Sequence, residues 1–310
     1  MTDPDAHRST HDAAEDPRNA ELKIWLNGTL VPRAEAVVSV YDSGFMLGDG
    51  VWEGVRLHNH RWAFLDAHLD RLFEGARAID LDIGMDRRDL TAALHAVAEA
   101  NGMESDAHAR LMVTRGVRRR PFQDPRLADA GPTVAIIAEH SRPDPALADA
   151  GVSLHTVPVY RGLPMTQDPK LNSHSKLNCI LAGIHAQKAG ADEALMLDPH
   201  GFVNTTNSCN FFIVRRGEVW TSTADYCMPG VTRANVIDLC RRNAIPVFER
   251  NFSMVETYSA DEAFITGSFA GQTRVREIDG RRIGGDAPGP VLARLRQLYR
   301  ERVEAECGRS

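Results

Sequence analysis

The sequence predicts an α/β protein of two domains, and three features of the residue pattern carry that reading. Strand-like runs and two amphipathic helical stretches fill the chain up to residue 140. Residues 141–150 are rich in Pro, Asp and Ala and hold no sustained strand pattern, as a linker would. From residue 151 onward strands and helices alternate. The expected division is a tail over 1–21, a small N-terminal α/β domain over 22–140, a linker over 141–150 and a larger C-terminal α/β domain over 151–310. A chain of 310 residues is long enough for two cores, and 43% apolar content can fill them.

Each element has a local reason. Leu22-Lys23-Ile24-Trp25-Leu26 is a β-prone run meeting Asn27-Gly28, a dipeptide that tolerates the positive φ angles of a tight turn, so a hairpin opens the fold. Val37 to Val40 and Gly50 to Leu57 continue the strand pattern. A helix starting at Asp66 puts Leu69, Leu72, Phe73 and Ala76 on one face, and Asp86 and Gly102 bracket a second with Leu90, Leu94 and Val97 in phase. Strands at Arg110 to Thr114 and Thr133 to Ala138 complete the first domain. The second reads as strand Val152 to Val157, helix Ser175 to Ala189 stopped by Gly190, and strand Glu193 to Leu197. An Asn-rich turn from Asn204 then feeds strand Asn210 to Val214. Helix Thr232 to Asn243, strands Pro246 to Glu249, Glu262 to Thr266 and Thr273 to Ile278, and a helix from Pro290 follow.

A formal charge of −6, with Arg118-Arg119-Arg120 as the sole basic run, argues against nucleic acid as a partner, because a phosphate backbone requires a basic face. Cys179, Cys209, Cys227, Cys240 and Cys307 lack CxxC spacing and fit reduced thiols in a cytoplasm. The first twenty residues are polar, mixed in charge and without an apolar h-region, so they read as a disordered tail rather than a signal peptide. No stretch approaches the roughly 18 apolar residues of a membrane span. No metal site is expected: His58-Asn59-His60 alternates imidazoles, but at a hairpin turn with no third ligand nearby in sequence.

Three places look able to hold an anion. Arg71 sits on the first helix, where Leu72 and Phe73 pin its turn to the core, and a held guanidinium suits a bidentate phosphate contact. Gly230-Val231-Thr232-Arg233 opens a helix, so its backbone amides and a hydroxyl point outward together. Thr266-Gly267-Ser268 ends a strand and offers a second set.

The order of motifs then becomes recognisable. Ile24 to Gly28, Gly48 to Arg56 (GDGVWEGVR), His68 to Leu72 (HLDRL), Gly190 to Leu195 (GADEAL), Asn210-Phe211-Phe212, Gly230 to Arg233 and Ala260 to Phe264 (ADEAF) together resemble class IV aminotransferases. That group includes branched-chain aminotransferases, D-amino acid aminotransferases and aminodeoxychorismate lyase. The resemblance spans Leu22 to Gly289, and the collinear set is far more specific than any member. It implies a fold-type IV architecture, a small N-terminal α/β domain plus a larger C-terminal α/β barrel-like domain, with pyridoxal 5'-phosphate between them in a homodimer. By resemblance Arg71 holds the cofactor phosphate, aided by Val231, Thr232 and Ser268. The implied substrates are an amino acid, branched-chain or similarly aliphatic, and a 2-oxo acid, with Trp52 among apolar candidates for the pocket.

Three columns depart from the family pattern. Gapless counting back from Glu193 places the cofactor-bonding lysine near Leu171 to Ser173, where there is none; Lys170 lies just before and Lys176 just after. Thr205 stands where relatives carry a glutamate that pairs with the pyridine nitrogen, and a hydroxyl cannot balance a full positive charge there. Beyond Val113-Thr114-Arg115-Gly116, Arg118 and Arg120 are candidates to clamp a substrate carboxylate, as is Arg110 on the preceding strand. Transamination is the leading expectation. Elimination of the aminodeoxychorismate lyase kind, or a fold relative that has left pyridoxal chemistry, are the alternatives.

Overall fold

A computed structural model of the chain describes residues 13–308. It divides into two compact units. One holds Ala14–Arg142, Leu171–Lys176 and the residues from Val303 onward; the other holds Pro143–Lys170 and Leu177–Arg302.

The N-terminal unit is built on strands β1 (Lys23–Leu26), β2 (Thr29–Pro32), β3 (Gly50–His58), β4 (Arg61–Trp62), β5 (Ala107–Thr114) and β6 (Thr133–His140), ordered β2-β1-β6-β5-β3-β4 in one sheet. The short helix α1 (Ser43–Leu47) precedes β3, and α2 (Leu65–Ala78) and α3 (Arg87–Ala100) lie between β4 and β5 in sequence. Asn27 and Gly28 take φ of 47° and 92°, the angles of the expected turn, and set Leu26 opposite Thr29. Asp86 and Asp89 form a reciprocal capping box at the start of α3. Leu69 and Leu72 of α2 and Leu90, Leu94 and Val97 of α3 bury against Val51, Val55 and Ile136 of the sheet. Leu90 and Leu94 are fully enclosed, and truncating either to Ala would cost about 2–5 kcal/mol.

The second unit contains helices α4 (Pro145–Ala150), α5 (Pro164–Gln167), α6 (Leu177–Lys188), α7 (Val231–Arg242), α8 (Met254–Tyr258) and most of α9 (Pro290–Cys307). Its strands are β7 (Val152–Thr156), β8 (Glu193–Leu197), β9 (Val203–Thr206), β10 (Asn210–Arg215), β11 (Glu218–Thr221), β12 (Val247–Glu249), β13 (Glu262–Gly267), β14 (Gly271–Ile278) and β15 (Arg281–Arg282). Pairing runs β10-β13-β14-β7-β8-β9, and β9 returns to β10 through Thr205 and Asn210, so six strands close into a barrel. Alternation along β10 divides its side chains between two cores. Phe211 and Ile213 pack with Leu154, Leu195, Ile265 and Val275, whereas Phe212 and Val214 turn the other way and meet Val236, Ile237 and Cys240 of α7 and Leu295 of α9. Phe212 and Phe264, opposite each other in register, stack with centroids 4.9 Å apart.

Several expectations change. Residues 1–12 of the predicted tail lie outside the described residues, but Pro17–Glu21 form a 3₁₀ turn, and Asn19 exchanges hydrogen bonds of 2.9 Å with the backbone of His140. Val37 to Val40 form no strand; the Val37 N–H turns back onto Glu35 O, and Val37 and Val40 are exposed. The stretch 141–150 carries helix α4, capped by Asp144. The Asn-rich turn is strand β9, and its residues supply the barrel's closing pair. Among the described residues no helix is long and apolar enough to cross a membrane, and no group of His, Cys, Asp or Glu is placed to hold a metal ion.

Candidate active site

In the N-terminal unit the site is organised around β3. Glu53 is buried, and its Oε1 and Oε2 accept 2.7 Å hydrogen bonds from Nε and Nη2 of Arg71 on α2. Nδ1 of His68, one helical turn before Arg71, lies 2.7 Å from Glu53 Oε2. Burial pushes the Glu53 carboxyl up, but the hydrogen bonds and charge of Arg71, with those of His68, outweigh it and hold the group below its usual value. Arg71 is therefore fixed by a bidentate carboxylate.

Trp52, the neighbour of Glu53, carries two basic side chains over its indole. The Arg110 guanidinium stands 3.7 Å from a ring centroid, and Lys176 Nζ lies 5.8 Å away. Burial lowers the Arg110 pKa from its ordinary value, though it stays cationic at neutral pH. Lys176 arrives on the segment Leu171–Lys176, which lies along β3 as an added extended strip. Trp52 N–H donates to Asn172 O (3.0 Å), Asn172 Nδ2 to Trp52 O (2.6 Å), Trp52 Nε1 to Ser173 O (3.0 Å) and His174 N–H to Gly50 O (3.0 Å). Burial, then the nearby Arg110 charge, lower the His174 pKa.

Arg118 has another role than the expected clamp. Its side chain is buried, Nε and Nη2 donate to Phe122 O, Nη2 also meets Asp124 O, and Nη1 donates to Ser43 Oγ at 3.0 Å. With its donors turned onto the protein's own loop, it holds that loop closed rather than offering a fork to a ligand. Arg120 is exposed.

In the barrel unit, register places Thr205, Asn210, Thr266 and Gln272 side by side on neighbouring strands, all buried. Thr205 Oγ1 donates to Cys209 O at 2.6 Å, so its proton is engaged and its lone pairs remain to accept. Asn210 Nδ2 donates to Met228 O, drawing the loop before α7 onto β10. A Cβ at Gly230 would fall 2.1 Å from Asn210 Oδ1, so glycine lets α7 start this close to the strand without displacing Asn210. Among the described residues no side chain caps α7, which leaves its first-turn amides available to an anion. Thr266 Oγ1, two residues before Ser268, is buried with no hydrogen-bond partner among the described residues. Lys170 is exposed, and its N–H binds Asp168 Oδ1 at 2.9 Å.

The uncapped helix start and the unpartnered Thr266 hydroxyl leave donors for an anion on the closed six-strand barrel. The profile described as Amino-transferase class IV matches residues 50–278, and the chain belongs to the class IV aminotransferase family. It is 38% identical over 285 residues to branched-chain-amino-acid aminotransferase-like protein 2 of Arabidopsis thaliana, covering 92% of this chain and 51% of that protein. It is 37% identical over 282 residues to a putative branched-chain-amino-acid aminotransferase of Methanocaldococcus jannaschii, covering 90% and 96%. The solved branched-chain aminotransferase of Thermoproteus uzoniensis with norvaline superposes with a TM-score of 0.83 at 31% identity, over 92% of this chain and 96% of that one. A second solved branched-chain amino acid aminotransferase, the T.th. enzyme with pyridoxamine 5'-phosphate, gives 0.85 at 30% identity, over 92% and 95%. The fold-type IV architecture with its barrel is therefore established. The chain spans about half the length of the Arabidopsis relatives, 51% and 52%.

Sequence reasoning missed Glu53 and His68 as the partners of Arg71. Both lie within quoted motifs, but the signal was the spacing of His68 and Arg71 on one helical face, which demands an anion on the sheet beneath. It did include Thr266 in the Thr266-Gly267-Ser268 loop, and the structure adds that its hydroxyl is buried without a partner.

Proposed function

We propose that the protein binds pyridoxal 5'-phosphate and transfers an amino group between an amino acid, branched-chain or similarly aliphatic, and a 2-oxo acid. The observation carrying this reading is the uncapped start of α7 at Gly230 beside the unpartnered Thr266 hydroxyl, in a chain that aligns over nine-tenths of its length with branched-chain aminotransferases. Val231, Thr232 and Ser268 would hold the phosphate. When bound, the cofactor supplies an aldehyde to receive the amino group and a ring that withdraws electrons from the substrate's α-carbon. Thr205, with its proton on Cys209 O, would accept from a protonated ring nitrogen but would bring no counter-charge. Lys170 and Lys176 are the candidate amines to move a proton at the α-carbon. Arg110, stacked on Trp52, presents a held cation to a substrate carboxylate. Leu177, Ile180, Leu181 and Ile184 form an exposed apolar stripe at helical spacing on α6, which supports assembly as a homodimer. A cytoplasmic setting fits the scattered thiols.

The test is to load the purified protein with pyridoxal 5'-phosphate, remove the excess, and supply leucine with 2-oxoglutarate. Transamination requires both partners and yields glutamate with the branched 2-oxo acid. Product formed without an acceptor would indicate elimination instead, and a protein that stays colourless after loading would point away from pyridoxal chemistry.

A further inference from the structure

The chain has only four lysines, Lys23, Lys170, Lys176 and Lys188. Three stand in solvent: Lys23 at the start of β1, Lys188 in the last turn of α6, and Lys170. Lys176 alone is partly buried.

Its position is fixed by a purpose-shaped seat. Beyond the backbone ties to Gly50 and Trp52, Ser175 Oγ donates to Gly48 O at 3.4 Å. A Cβ on Gly48 would lie 2.4 Å from Ser175 Oγ and 3.2 Å from its backbone; one on Gly50 would lie 2.6 Å from His174 Cδ2. One on Gly75 would press Leu171 Cδ1 at 3.2 Å. The Gly48-Asp49-Gly50 motif is therefore the bed on which His174 and Ser175 lie, and Lys176 follows them onto Trp52. Asn172, in the stretch where the resemblance places the amine, is buried and engaged with Trp52 O.

We propose that Lys176 is the residue that joins the cofactor covalently, an inference resting on the pyridoxal reading above. Its nitrogen adds to the aldehyde carbon, the aldehyde oxygen leaves as water, and a C=N bond remains. Because the residue touches the cofactor, it would be catalytic in the strict sense.

The test uses the full-length protein loaded with pyridoxal 5'-phosphate and then treated with borohydride, which adds hydride to the C=N carbon and fixes a stable secondary amine. Peptide mass mapping over the four lysines is expected to find the phosphopyridoxyl group on Lys176, and Lys176→Ala to lose the visible imine band while Lys170→Ala keeps it. An adduct on Lys170 or another lysine overturns the assignment and leaves the cofactor reading intact, as does retained cofactor with no adduct. Failure of the wild-type protein to retain any cofactor overturns both. The wild-type map decides the matter even where a variant does not fold.

Discussion

Glu53→Gln changes one atom in a deeply buried charged cluster of the N-terminal unit. The Glu53 side chain is 1% exposed and that of Arg71 10%, so water screens neither. The substitution strands the Arg71 charge opposite a neutral amide and weakens the His68 contact. Removing one partner of a buried pair costs about 3–5 kcal/mol. At about 2–4 °C per kcal/mol, the melting temperature should fall by roughly 6–20 °C. The sign of the pH effect follows from the lowered carboxyl. Its contribution is complete above the ordinary value of 4.5 and is lost as pH falls through the lower folded value. Wild type and Glu53→Gln should therefore differ most near neutrality and converge in acid. Thermal and urea unfolding followed by circular dichroism from pH 7 downward would measure this. Adding Arg71→Met should restore about 1 kcal/mol or more, because the stranded charge goes with it. A Glu53→Gln protein within about 0.5 kcal/mol of wild type at pH 7 would refute the reasoning, since that is the range of an ordinary surface change.

Three further outcomes can be checked. His174 has a lowered pKa, so wild-type stability should decline as pH drops below its ordinary 6.5 toward the folded value, and His174→Gln should flatten that slope in the same unfolding series. Gly230→Ala must push Asn210 or the start of α7 aside, costing about 1–3 kcal/mol in a melting experiment and weakening pyridoxal 5'-phosphate binding in a fluorescence titration. Thr266→Val deletes a buried hydroxyl without a partner, so the cofactor-free protein should gain about 1 kcal/mol while cofactor affinity falls several-fold, a pairing that a purely structural role for Thr266 would not produce.

Legibility in the sequence followed the range of the interaction. The hairpin at Asn27-Gly28, the stripe of Leu69, Leu72 and Ala76, and the bracket of Asp86 around Leu90 and Leu94 are fixed by neighbours a few residues away, and all could be read. Barrel closure through Thr205 and Asn210 could not be derived from periodicity, because β9 reads locally as a polar turn and becomes a strand only by pairing on both sides. Arg118 shows the same limit. Three consecutive arginines look alike in sequence, and only the folded loop, with Phe122 and Asp124 carbonyls turned inward, separates a buried tie from exposed Arg120. The glycines at 48 and 50 were legible as a backbone device, but His174 and Ser175, for which they make room along with β5, lie more than 120 residues downstream.

That separation bears on how the polypeptide matures during synthesis. Trp52 reaches Ser173 across 121 positions, and the Asn59 amide reaches Gly308 across 249. A ribosome that has released only the first 142 residues has not yet delivered the strip that β3 pairs with, so the N-terminal unit must wait, partly assembled, while the barrel strands emerge. Translation order and folding order are thereby interleaved, and severing the gene at the apparent boundary would divide one of the two units instead of separating them.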